Sequence, residues 1–312
     1  MTRINEITAG MTVEGAFAVK DMALRETRKG SRYIRLVLSD ATGSLVANLW
    51  DASEDAYPSL AGAEVVMVRG TAETYQNALQ LNLNRVRPAE PHEFDLAALL
   101  AESPHDRAAL LEELVRLVEE LADEDYKGLI HLFLDDREWL DRFQRAPAAR
   151  AFHHAYVGGL LEHTLAVMRL ADRCASLNPV LRRELLLAGA FFHDIGKIEE
   201  LRLGAAIEYT DEGSLLGHLS QGALAVEARL TVLPEFPREK RNLLLHLILS
   251  HHGRYEYGSP VLPATPEAIA LHHLDNLDAK VFAAGKAIED DPDPARNWTE
   301  RSFMLETRLF KG

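Results

Sequence analysis

The sequence predicts an α+β protein of more than one domain, a small N-terminal β-barrel followed by an all-α domain. Three observations carry this. Apolar residues alternate with period two up to about residue 87 and then recur at helical spacing. A proline-bearing stretch, "PAEPHEF", stands where the pattern changes. Ten of the thirteen histidines fall between residues 153 and 273, in the helical part.

Element by element, residues 12–87 read as short strands punctuated by turns. "YIRLVLSD" and "LVANLW" flank "DATG", and "ALQLNLNRV" alternates Leu79, Leu81 and Leu83 with polar neighbours. A short helical piece is expected around "SEDAYPSL", between the third and fourth strands. Five strands with a helix in that place predict a barrel of the OB type, with any other small antiparallel sandwich as the alternative. From Asp95 onward, runs such as "DRAALLEELVRLVEEL" predict helices almost throughout. The expected organisation is a barrel over 1–90, a helical linker region over 91–148 and a second domain over 149–312. The C-terminal "NWTERSFMLETRLF" reads as an amphipathic helix, packing in cis or between subunits of a homo-oligomer.

Composition narrows the function classes. With 312 residues and 47% hydrophobic content the chain can bury real cores. A single cysteine, Cys174, excludes a disulfide framework and a cysteine-based zinc site. No run approaches the roughly 20 apolar residues of a membrane span, so a cytoplasmic protein without a membrane partner is expected. The net charge is -14, and residues 1–90 carry 10 Lys and Arg against 11 Asp and Glu, so 13 of those charges lie in the helical part. A polyanion must therefore meet a local patch or metal cations. One patch is visible: "LRETRKGSRYIR" gathers Arg25, Arg28, Lys29, Arg32 and Arg35 around Tyr33, with Glu26 the lone opposing charge. Cations that follow phosphates and a ring that stacks on a base suit a single-strand binder. Trp50 and Tyr75 are further stacking candidates that could equally fill the barrel core.

The histidines recur in a pattern: His163 in "GGLLEHTLAV", His193 and Asp194 in "FFHDIGK", His218 in "LLGHLSQG", His251 and His252 in "LSHHGRYEYGSP", and His272, His273, Asp275 and Asp278 in "LHHLDNLDAK". Each adjoins an apolar helical run. A lone histidine there is usually a satisfied core group, but five such sites call for a common cause. Buried imidazole and carboxylate are expensive without partners, and a divalent metal offsets their desolvation. Nitrogen and oxygen donors without thiolate favour Mn, Fe, Co, Ni or Zn over Ca. An adjacent His-Asp pair suits two ions, the imidazole taking one and the carboxylate bridging to the other. Lys197, one turn on, can hold a phosphate oxygen.

A His, then His-Asp, then a late Asp on helices resembles the HD superfamily of metal-dependent phosphohydrolases. More narrowly, "AYVGGLLEHTLAV", "LLLAGAFFHDIGKIEEL", "YTDEGSLLGH", "LILSHHGRYEYGSPVLP" and "LHHLDNLDAK" resemble the YhaM family of 3'-5' exoribonucleases over about residues 150–305, and the OB-like front end matches that architecture. The resemblance implies His163, His193, Asp194 and Asp275 as the basic ligands, His218 and His251 as additions for a second ion, and His252 and Asp278 as substitutes. Asp275 is preferred over Asp278 because "HHLDNLDAK" resembles the superfamily's terminal motif with the first Asp at the ligand position. Members with a third metal carry a Glu one turn before the first His, where this chain has Gly159. His153, His154, His246, His272 and His273 are expected to be structural or to support the ligands from behind.

The implied reaction is metal-assisted hydrolysis of phosphodiester bonds in single-stranded RNA, with single-stranded DNA as a second substrate. Asp194 would bridge two ions, manganese first among the candidates, while Lys197 and Arg254 neutralise charge on the non-bridging oxygens. Two other readings compete: a phosphohydrolase of nucleotides or cyclic dinucleotides, and a non-catalytic nucleic-acid-binding protein with a structural metal.

Overall fold

The protein is described by a computed structural model that covers residues 2–27, 30–51, 56–75, 78–150, 154–204, 206–289, 291, 296–302 and 304–312, with the backbone alone at 96 and 97. The chain divides into two compact units, residues 1–102 with 203–206, and residues 103–202 with 207–312.

In the first unit, β1 (Thr12–Glu26), β2 (Arg32–Asp40), β3 (Gly43–Leu49), β4 (Val65–Tyr75) and β5 (Ala78–Pro88) close into a barrel in the order β1-β2-β3-β5-β4. All neighbours are antiparallel except β3 and β5, which close the barrel in parallel. The alternation in sequence maps onto this wall. Ile34, Leu36, Leu38, Ala47 and Leu81 point inward and are buried with Phe17 and Val68, while Tyr33, Arg35, Asn48 and Gln80 stand on the outer face. α1 (Ala56–Leu60) lies between β3 and β4, as the OB pattern requires, and α2 (Leu96–Leu99) follows the barrel.

The second unit holds α3 (Arg107–Glu119), α4 (Glu124–Leu134), α5 (Arg137–Arg145), α6 (Gly159–Leu177), α7 (Arg183–Phe192), α8 (Lys197–Glu200), α9 (Asp211–Leu230), α10 (Arg238–Ser250) and α11 (Pro266–Glu289). Asp106, Asp123 and Asp136 cap α3, α4 and α5 by accepting from backbone N–H groups of the first turn. These three helices, in the stretch read from sequence as a connector, share one apolar core with α6, α7, α9, α10 and α11. α7 is its centre, with every residue from Leu185 to Phe192 buried and Phe192 edge-on to Phe133 at 5.2 Å. Full burial of Phe191, Phe192 and Leu187 is worth about 2 kcal/mol each, which anchors the end of α7 firmly enough to carry polar groups into the interior.

Two features depart from the sequence reading. A small two-stranded sheet, β6 (Leu201–Leu203) and β7 (Ile207–Tyr209), interrupts the helical run. The C-terminal segment is an extended loop closed by a Trp298–Phe310 bridge, not a helix. Its Ser and Thr residues bond locally to backbone: Leu309 N–H donates to Thr299 Oγ1 and Leu305 N–H to Ser302 Oγ, competing with helical hydrogen bonds. Among the described residues no helix is long and apolar enough to cross a membrane.

A candidate dinuclear metal centre and a candidate strand-binding face

Five helices deliver the polar cluster. His163 sits one turn into α6, His193 caps the C-terminus of α7 with Asp194 in the turn that follows, His218 lies in α9, His251 caps α10 with His252 beside it, and Asp275 and Asp278 lie one turn apart on α11. The glycine of "HDIGK" has a packing reason. A Cβ on Gly196 would stand 2.0 Å from the His218 carbonyl oxygen and 2.6 Å from Gly222 N, so only glycine lets α9 approach closely enough to bring His218 to Asp194. α9 breaks its helical geometry at Gly217 (φ 68°), which frees the His218 N–H to donate to Glu200 Oε1 at 3.0 Å.

The inner nitrogens and oxygens form two groups around one carboxylate. In the first, His163 Nε2 lies 3.2 Å from His193 Nε2, 3.4 Å from Asp194 Oδ2 and 3.2 Å from Asp275 Oδ1. His193 Nε2 is 3.4 Å from Asp194 Oδ2 and 3.9 Å from Asp275 Oδ1. In the second, Asp194 Oδ1 lies 3.6 Å from His218 Nε2 and 3.5 Å from His251 Nε2, and His218 Nε2 is 3.2 Å from His252 Nε2.

The outer nitrogens explain this inward aim. Nδ1 of His193 donates to Ala190 O (2.8 Å), that of His251 to Ile248 O (2.8 Å) and that of His252 to Tyr257 O (2.6 Å). Nδ1 of His163 meets Asp278 Oδ2 at 2.7 Å, and Nδ1 of His218 meets both oxygens of Glu200 at 3.0 Å. Carbonyls and ionised carboxylates only accept, so each Nδ1 carries a proton and five Nε2 atoms converge. The Nε2 lone pairs of His218 and His252, 3.2 Å apart, do not attract, and Asp194 Oδ1 is buried without a hydrogen-bond partner among the described residues. A cation between the donors resolves both deficits, and the donor set, imidazole and carboxylate with no thiolate, fits a divalent transition metal.

Electrostatics agree. Burial opposes ionisation of Asp194, yet the Lys197 ammonium, 2.5 Å from Oδ2, and then His193 outweigh it and hold the carboxyl well below its usual range. Burial likewise opposes Asp275, and the hydrogen bond from His163 with the neighbouring imidazoles holds it low. Burial pushes His193 and His251 down, and His252, beside both His251 and His218, down to about 4. His163 goes the other way: despite full burial, Asp194, Asp275 and Asp278 draw a proton onto it. The same carboxylates would meet a divalent ion with twice the charge.

Of the residues expected at the site, His163, His193, Asp194, His218, His251 and Asp275 come together, His252 completes the second group, and Asp278 faces the outer nitrogen of His163. Lys197 is buried against Asp194. Arg254 is exposed and its guanidinium lies 5.8 Å from the centre of the Tyr257 ring. One supporting residue, Glu200, escaped the sequence reading. Glu200 is buried and tied to His218; the preceding Glu199 is half exposed, and only the apolar flanks Ile198 and Leu201 hinted at which of the pair turns in. His154, expected to be structural or to support the ligands, is buried with φ at 49° and contacts Asp278 Oδ2 through Nε2 at 3.2 Å and the Tyr156 hydroxyl through Nδ1 at 2.7 Å. His153 lies outside the described residues.

On the barrel, Tyr33 and Trp50 stack on the outer wall with centroids 4.6 Å apart, and the Trp50 indole N–H donates to Asn82 Oδ1 at 2.9 Å. Trp50 is 44% exposed and Tyr75 59%, so neither fills the core. Arg25 pairs across the ladder with Tyr33, Arg32 with Glu26, and Arg35 lies 3.8 Å from Asp21. Arg28 and Lys29 lie outside the described residues. The wall therefore presents stacked rings beside Arg25 and Arg35.

Comparison with known proteins agrees with both regions. Residues 160–280 match the model of the HD domain and residues 12–89 that of the OB-fold nucleic acid binding domain. The 3'-5' exoribonuclease YhaM of Bacillus velezensis is 34% identical over 302 residues, covering 96% of this chain and 95% of that one. Its namesakes in Bacillus subtilis (33%, covering 96% and 95%) and Oceanobacillus iheyensis (31%, covering 97% and 94%) are similar over the same extent. With a barrel and a histidine cluster where those matches fall, and identity sustained from end to end, the chain belongs to the YhaM family of 3'-5' exoribonucleases.

Proposed function

We propose that the protein is a metal-dependent 3'-5' exoribonuclease that hydrolyses phosphodiester bonds of single-stranded RNA in the cytoplasm, using two divalent ions held in the helical unit, manganese first among the candidates. The observation that carries this is Asp194. It offers Oδ2 to one group of imidazoles and, to a second, an Oδ1 that has no hydrogen-bond partner among the described residues, the arrangement a bridging ligand needs. His163, His193, Asp194 and Asp275 would hold one ion, and Asp194, His218, His251 and His252 the other. Bound there, the ions would supply an acidified water and positive charge for the phosphate oxygens.

The chain's own residues do the rest. Asp278 and Glu200 fix the ring planes of His163 and His218. Lys197 holds Asp194 by its shared oxygen, and this ion pair makes it a positioning group for the carboxylate rather than a free phosphate anchor. Apolar walls from α7 and α10 keep bulk water from behind the donors. The barrel grips the strand: Tyr33 and Trp50 stack on bases, while Arg25, Arg28, Lys29, Arg32 and Arg35 follow the phosphates. Single-stranded DNA is a second substrate of the same grip, and a homo-oligomer is compatible with the exposed apolar residues of α11, Ile269, Leu277 and Val281.

The test is digestion of 5'-labelled single-stranded RNA with Mn2+, Mg2+ or chelator, alongside Asp194→Ala. A ladder shortening from the 3' end with Mn2+, absent in chelator and in the variant, is expected. RNA left intact under every metal breaks this reading and transfers the substrate to nucleotides or cyclic dinucleotides.

A further inference from the structure

The segment after His252, residues 253–259, is tightly built, and it is exposed from Arg254 to Gly258. Gly253 takes φ 76° and donates to Ser250 O at 2.8 Å, and a Cβ there would stand 2.4 Å from the His272 ring, so only glycine turns the chain at this point. Tyr257 N–H donates to Arg254 O (3.2 Å), Gly258 N–H to Tyr255 O (3.0 Å) and Ser259 N–H to Arg254 O (3.3 Å). Tyr257 O in turn accepts from Nδ1 of His252. The segment is thus pinned by main-chain atoms to one of the imidazoles of the candidate metal centre.

What this rigid segment displays is unusual for its place. Tyr255 is 63% exposed and Tyr257 59%, and the Arg254 guanidinium lies over the Tyr257 ring. Arg254 has no carboxylate partner among the described residues, and the intervening Glu256 forms no ion pair there. A chain of net charge -14 has thus left an arginine uncommitted beside its densest group of metal donors. Single exposed aromatic residues are ordinary. Two on a preorganised loop, one carrying a guanidinium, tied directly to an imidazole of the candidate metal centre, form a surface with an open ring face and a cation, the two features that take a base and its phosphate.

We infer that Tyr257, with Arg254 over its ring, is a stacking shelf for a nucleobase next to the scissile phosphodiester of single-stranded RNA, an assignment that rests on the exoribonuclease reading above. The shelf takes any base, since every base has a π face, and positions the 3' end by stacking rather than by base-specific hydrogen bonds. The metal centre depends on this segment only through the backbone carbonyl of Tyr257, so side-chain replacement leaves the His252 contact in place.

The test uses the full-length protein with Mn2+ and compares wild type, Tyr257→Ala and Tyr257→Phe on two single-stranded RNAs, one ordinary and one lacking the bases of its last two nucleotides. Hydrolysis of bis(p-nitrophenyl) phosphate and bound metal are measured alongside. Tyr257→Ala is expected to lower kcat/KM on ordinary RNA by about 10- to 100-fold, mainly through KM. Base removal should cost wild type as much and the variant little. Tyr257→Phe should retain wild-type rates, and all three proteins should bind metal and cleave the small diester equally. Equal RNA digestion by wild type and Tyr257→Ala overturns the shelf alone, as does a loss in Tyr257→Ala that extends to metal content and the small diester. Wild type that leaves RNA intact overturns the exoribonuclease reading and the shelf with it.

Discussion

The two donor groups that share Asp194 differ in charge and openness. The first pairs two imidazoles with two carboxylate oxygens, and both of its histidines are fully buried. The second sets three imidazoles against one carboxylate oxygen, and its His218 and His252 are partly exposed. Charge count and rigidity govern how hard a site holds a divalent ion, so the first group should bind more tightly and the second should exchange faster and face the substrate. With two ions bound, one carboxylate would serve a storage-like position and a working position, separated by the identity of the other ligands.

The largest effect should come from removing what the two groups share. Asp194→Ala is expected to lose both ions and reduce RNA hydrolysis to background, measured by metal content and ladder formation. Next, Asp275→Ala should abolish the tighter class in a Mn2+ titration, while His252→Ala should weaken the looser class and leave the tighter one; the reverse order would break the comparison. Smaller still, His154→Ala or Asp278→Ala should lower affinity in the tighter class about 10- to 100-fold by releasing the ring of His163, and calorimetric titration would detect it. Smallest at the centre itself is the effect of the barrel. Arg28→Ala with Lys29→Ala should reduce the salt slope of RNA binding by about 1.4 and leave hydrolysis of a small phosphodiester intact. Unchanged RNA affinity would remove this segment from the grip.

The barrel was legible because its strands alternate cleanly: Ile34, Leu36 and Leu38 face in while Tyr33 and Arg35 face out, so period two reports burial directly. The cluster was legible because each histidine accompanies an apolar helical run. Which of two neighbours turns inward was not. Asp275 and Asp278 share a helix face, and only the fold shows one meeting Nε2 of His163 and the other Nδ1. Glu199 and Glu200 pose the same problem. For His154 a supporting place was open in the sequence but its partner was not, since that contact depends on a left-handed backbone and on Asp278, 124 residues away. The C-terminal segment misled because its apolar spacing suits a helix while Thr299, Ser302 and Thr307 hold it extended.

The donors of the centre come from α6, the ends of α7 and α10, α9 and α11, so ions bound there join segments far apart in the chain and act as cross-links of the folded state. Ligands that bind only the folded state stabilise it in proportion to the logarithm of their concentration. Metal supply would then govern how long the protein survives its proteases as well as how fast it works. A cell short of the ion would lose the enzyme from its inventory and not merely idle it.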